Sequence, residues 1–146
     1  MTTRAITDAL LERLGRQDAD GVAELFAENI DWYVPGDEAL PWTGRRNERS
    51  HVADYFRTMW PHFVTGESTV ELDTILVDGD DAVIVSTFQH TVKRNGRALR
   101  TPAAMRLQVA NGEIIKMHLY EDTAAVRDAF FDRDQPLGAG GRPARS

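Results

Sequence analysis

The chain has 146 residues, 42% of them hydrophobic and 27% charged, which suits one domain with its own core. A formal charge of −6 with no Lys/Arg stripe offers nothing to phosphates, so nucleic acid is not an expected partner. There is no cysteine, which removes disulfides, thiolate chemistry and Cys-ligated metals.

Ile6, Leu10 and Leu14 lie four apart and predict an amphipathic helix over 4–15, with Gly15 at its end. Met1 to Leu14 lacks the apolar block of a signal peptide, and no run approaches the roughly 18 apolar residues of a membrane span. A cytoplasmic protein with no membrane partner is expected. A second short helix is expected from Asp18 to Phe26, capped by Asp18 or Asp20, with Val22, Leu25 and Phe26 buried. Ile30 to Val34 reads as a strand stopped by Pro35-Gly36. Residues 36–47 read as a loop, in which Trp42 is expected to fold back onto a core or a pocket mouth.

Val52, Tyr55, Phe56, Met59, Trp60 and Phe63 share one helical face, with Ser50 or Asn47 as cap and Pro61 confined to the last turn. Such an aromatic face serves either as core or as a pocket wall. The rest is a meander of four long strands: Val70 to Leu76, Ala82 to Val92, Leu99 to Val109 and Ile114 to Tyr120. Asp78-Gly79-Asp80, Asn95-Gly96 and Asn111-Gly112 supply the turns. Long antiparallel strands twist and coil, so the helices would cover the concave side of a cup. Asp122 or Thr123 would cap a closing helix to Phe131. These elements make one domain over 1–134; the Gly-, Pro- and Arg-rich residues 135–146 are expected to be disordered. The four histidines are not at ligand spacing, so no metal site is expected.

The order helix, helix, strand, aromatic helix, meander, closing helix now has a likeness. With the stretches AELFAENIDWYVPG, PWTG, VADYF and NGEIIKMHLYEDTAAV, it resembles the SnoaL-like and ketosteroid-isomerase-like branch of the nuclear-transport-factor-2 superfamily, over residues 4 to about 131. The resemblance implies a cone-shaped α+β barrel: a curved antiparallel sheet packed against three to four helices around a pocket. It also implies a homodimer formed through the outer face of the sheet. Function is not implied, because such proteins include isomerases, polyketide cyclases, dehydratases, epoxide hydrolases and noncatalytic binders. Carried over by position, the isomerase's base falls at Val34, its protonated acid at Met105 and its tyrosine near Glu12, while the cyclase's carboxylate falls at Leu119. None of these residues matches.

The alternation of the strands leaves other candidates. Ser86, Phe88 and His90 share the pocket face of their strand, and Met117, Leu119 and Glu121 share a face of the last one. His90 is the catalytic candidate as general acid or base, and Glu121 would orient it or act itself after desolvation. The bland readings are a structural histidine at the rim and a helix-start charge; Asp122 reads as a cap. Trp32, Val34, Trp42, Phe56, Met59 and Trp60 would form part of a substrate-binding lining. Phe63, Phe88, Met105, Leu107, Met117 and Leu119 would complete it. That surface suits a flat or polycyclic apolar ligand. His51 and His62 are expected in solvent and His118 on the outer sheet face; Arg45, Arg46 and Arg49 are a solvated run or an anion clamp at the mouth. The leading reading is an enzyme acting on a small hydrophobic, ring-containing metabolite by cofactor-free proton transfer: cyclisation, isomerisation or dehydration. A noncatalytic small-molecule-binding protein and a structural dimerisation module with a filled cup are the alternatives.

Overall fold

A computed structural model describes residues 1–131. Helices α1 (Thr3–Gly15) and α2 (Ala19–Ala23) lead into strand β1 (Phe26–Val34) and strand β2 (Gly44–Glu48). Helix α3 (Ser50–Met59) runs into a 3₁₀ turn at Trp60–His62. The meander follows as β3 (Thr69–Asp78), β4 (Asp81–Thr91), β5 (Ala98–Ala110) and β6 (Glu113–Glu121), and helix α4 (Thr123–Phe130) is the last element among the described residues. Residues 135–146 lie outside the described residues.

The local chemistry accounts for most boundaries. Thr2 caps α1 by accepting from the Ala5 N–H at 3.1 Å, Asp18 caps α2 through Gly21 at 2.9 Å, and Asp122 caps α4 through Ala125 at 3.0 Å. Neither Ser50 nor Asn47 caps α3. Arg49 stands at that position without a side-chain cap, because a guanidinium has no acceptor to offer; its backbone N–H is bonded to the Glu28 carbonyl at 3.0 Å. At the end of α1 it is Gln17, with φ +53°, and not Gly15 that takes the left-handed conformation. Asn111 and Gly112 both have positive φ, +51° and +76°, as a two-residue type I′ hairpin turn requires.

The six strands form one sheet in the order β2-β1-β6-β5-β4-β3. The meander β3–β6 is antiparallel as expected, but the sheet as a whole was expected to be antiparallel and is mixed, because β1 lies parallel to β6. β2 falls inside and just past the stretch read as a loop. Its sequence, GRRNE, has no apolar alternation; it is an edge strand held to β1 by the backbone ladder, with the Arg45 side chain lying over Tyr33 of β1.

The inner face carries the core. On β4 it holds Ala82, Ile84 and Ser86; on β5 Leu99, Thr101, Ala103 and Leu107; on β6 Ile114, Met117 and Leu119. From the helices, Ile6, Leu10, Val52 and Phe56 bury against it. Each such aliphatic or Phe side chain contributes about 1.5–3 kcal/mol by leaving water. β3 is the other edge of the sheet, with Val70, Leu72 and Leu76 half or more exposed.

Candidate functional site

The helices do not seal the cup. Between them and the sheet lies a cavity of about 500 Å³, within the size range of sites for drug-sized ligands. Leu10 and Leu14 of α1 and Tyr55, Phe56 and Met59 of α3 form its roof. Ile84, Phe88, Met105, Met117 and Leu119 form its floor, and Trp32, Trp42, Trp60 and Phe63 line its sides. Gln17, Trp60, Thr69, Val70 and Leu72 are the more accessible members of the lining and mark its mouth beside β3.

Of the twelve side chains expected at the wall, ten reach it; Val34 and Leu107 do not. Both are on the inward side but have 1% and 0% exposure, so they are core. Leu107 is wedged between Ala82 and Met117 on the neighbouring strands. Trp42 folds back as its apolar bulk demands, packing on His62, Phe63 and Phe130 with ring centroids 5.1, 6.3 and 5.2 Å away. His62 is therefore a packing partner and not a solvent group.

Among the described residues, only three of the lining side chains titrate: Tyr55, His90 and Glu121. His90 stacks on Phe63, with centroids 4.2 Å apart and planes at 20°, and its Nδ1 lies 2.8 Å from the Ser68 hydroxyl. Burial pushes it down to about 4, so the imidazole is neutral at physiological pH. Glu121 has the opposite displacement. Burial, reinforced by the neighbouring Asp122 charge, raises it to about 7. Burial likewise holds the Tyr55 phenol un-ionised, and the Glu121 charge adds to that. The indole N–H of Trp32 is buried with no hydrogen-bond acceptor.

Strand register fixes how these groups relate. Ser86, Ala103 and Glu121 lie in one row across β4, β5 and β6, while His90 pairs with Leu99 four residues further along β5. With a rise of about 3.3 Å per residue and about 4.8 Å between strands, the Cα atoms of His90 and Glu121 stand about 16 Å apart on a flattened sheet. Glu121 thus does not orient His90; Ser68 does. Thr101, whose hydroxyl accepts from the Asp122 N–H at 3.2 Å, borders the Glu121 end. Ser68, Tyr55 and Thr101 were absent from the expected wall. Tyr55 was legible on the aromatic stripe of α3, and Thr101 in the alternation of β5. Ser68, before β3, gave no signal.

The positions at which the isomerase and the cyclase would carry an acid hold none, and the position of the isomerase's tyrosine holds Glu12. Val34 is core, Met105 and Leu119 are apolar wall, and Glu12 is exposed beside Arg16. Glu121 sits two residues beyond Leu119 and therefore on the same face. The arginines before α3 do not reach the cavity. Arg45 lies over the Tyr33 ring at 4.4 Å, Arg46 donates to the His51 carbonyl at 3.3 Å, and Arg49 is 3.8 Å from Glu113. On the outer face His118 bonds Asp31 at 2.8 Å, and that hydrogen bond holds the Asp31 carboxyl below its ordinary range.

A curved six-stranded sheet backed by helices, with an aromatic-lined cavity between them and the Glu121 carboxyl in its wall, defines a cone-shaped α+β fold. The family of SnoaL-like domains matches residues 7–117, and the chain belongs to it. No curated protein matches the sequence. Among solved structures, a nuclear-transport-factor-2-like (NTF2-like) protein of Burkholderia thailandensis is 21% identical, with 90% of this chain and 98% of that one covered at a TM-score of 0.79. TerC, co-crystallised with polyporic acid, is 15% identical over 87% of this chain and 96% of its own, at 0.74. A ketosteroid-isomerase-like fold from Catenulispora acidiphila, in complex with trimethylamine, is 16% identical over 83% and 88%, at 0.69. At these identities the likeness is one of fold.

Proposed function

We propose that this protein is an isomerase-, cyclase- or dehydratase-type enzyme that moves a proton on a small, hydrophobic, ring-containing metabolite without a cofactor. One observation carries the reading: among the described residues, Glu121 is the single carboxyl facing a mostly apolar cavity. A base and conjugate acid balanced near neutrality can take a proton from carbon and return it elsewhere on the same molecule. The apolar wall excludes water, and His90, neutral and fixed by Ser68, offers a hydrogen bond rather than a charge. The roles first assigned to the two groups are thereby exchanged: Glu121 transfers the proton and His90 positions. The co-crystal of TerC with polyporic acid supports a small-molecule ligand on this fold.

The test is hydrogen–deuterium exchange at carbon. Enolisable ring ketones are incubated with the protein in D2O and followed by NMR. Wild type should catalyse exchange beside the carbonyl, and Glu121→Gln should slow it by about 10²–10⁴-fold. A second reading, binding without turnover, is favoured by the missing acids at Val34, Met105 and Leu119; ligand binding with no exchange would select it. The unfilled volume of the cup counts against a purely structural module. We further propose a homodimer through the outer sheet face, which sedimentation would show directly.

A further inference from the structure

The cavity has two polar stations and an apolar span between them. At one end Glu121 stands with the Thr101 hydroxyl beside it and Ser86 in its row. At the other, nearer the β3 edge and the mouth, His90 is held by Ser68. Phe88 lies between the two stations on β4, directly opposite Thr101. No Lys or Arg is among the described residues that line the cavity. An anion entering it would lose its hydration beside Glu121 with no cation to meet it, which is strongly unfavourable.

We propose, resting on the function proposed above, that the occupant is an uncharged, elongated ring compound with a hydrogen-bonding group at each end. One group meets Glu121 and the other meets His90 with Ser68. Carboxylate- and phosphate-bearing ligands are excluded. Each station offers a hydrogen bond to one polar group of a ligand, so a ligand with a single polar end forgoes the bond at the other station. One net hydrogen bond of this kind corresponds to about a fivefold to tenfold gain in affinity.

The experiment uses three anthracenes: one with a hydroxyl on each outer ring, one with a single hydroxyl, and one with a single carboxylate. Binding is read by quenching of Trp32, Trp42 and Trp60, all of which lie in the wall. The dihydroxy compound should bind at least fivefold more tightly than the monohydroxy one, and the carboxylate at least tenfold more weakly. His90→Phe preserves a ring against Phe63 and should bring the dihydroxy compound down to the monohydroxy affinity. Ser68→Ala, at a partly exposed site less prone to disturb folding, should narrow the same gap. Equal affinity of the two hydroxy compounds, a carboxylate that binds as well as they do, or a gap unchanged in both variants would overturn the two-station proposal alone. Failure of all three compounds to bind would remove the proposed function with it.

Discussion

Replacing Glu121 by Gln should both stabilise the protein at neutral pH and unmask a hidden acid sensitivity. The unfolded chain protonates Glu121 near 4.5 and His90 near 6.5, whereas the folded chain does so near 7 and near 4. For His90 the unfolded state binds more protons between pH 4 and 6.5, so stability falls as pH drops through that window. For Glu121 the folded state binds more protons between pH 4.5 and 7, so stability falls as pH rises. Each effect has a slope of about 1.4 kcal/mol per pH unit. From pH 4.5 to 6.5 the two cancel in the wild type. In Glu121→Gln only the His90 effect remains, so acidification across those two units should cost the variant about 3 kcal/mol more than it costs the wild type. Above pH 7 the variant, freed of a buried carboxylate, should be more stable by on the order of 3 kcal/mol. At roughly 3 °C per kcal/mol for a chain of this size, the melting temperatures should diverge by roughly 10 °C. Differential scanning calorimetry at half-unit pH steps measures this, and groups common to both proteins drop out of the difference. A difference curve that is flat between pH 4.5 and 6.5 would refute the burial-driven displacement of Glu121, and a variant whose own stability does not fall on acidification through that window would refute that of His90.

Three further expectations concern rate, packing and charge. Deuterium exchange that uses Glu121 as base should rise tenfold per pH unit below about 7 and level off above it, as its carboxyl ionises; a rate independent of pH from 5 to 8 would exclude that base. Leu107→Ala should destabilise by about 2–5 kcal/mol in urea unfolding while leaving anthracene affinity unchanged. Met105→Ala enlarges the cavity itself, so it should alter affinity too; equal effects on affinity would contradict the division between core and wall. The side chains of Arg127 and Asp37, 12% and 6% exposed, pair at 3.6 Å and tie α4 to the loop after β1. Asp37→Asn should cost about 1–3 kcal/mol, because Arg127 loses this carboxylate while keeping Asp128 at 3.7 Å, and chemical denaturation with a loss under about 1 kcal/mol would show that the pair contributes little.

The sequence by itself determined the elements whose information is local. The apolar spacing of α1 and α3, the Asn111-Gly112 and Asp78-Gly79-Asp80 turns and the alternation along β4, β5 and β6 depend on residues a few positions apart. Alternation also set His90, Leu119 and Glu121 on the inner face, because a strand's side chains reverse at every step. The partnerships needed the tertiary structure. β2 has no amphipathic signature, and only the exposed backbone edge of β1 makes it a strand. The parallel meeting of β1 and β6 joins residues some 85 positions apart, Asp31 beside Lys116, and no local pattern encodes it. Which inward side chains are wall and which are core, as with Met105 against Leu107 on one strand, depends on where the helices stop covering the sheet. The separation of His90 from Glu121 is likewise a matter of register across three strands. Their opposite titration follows from burial, a property of the assembled cup rather than of either residue.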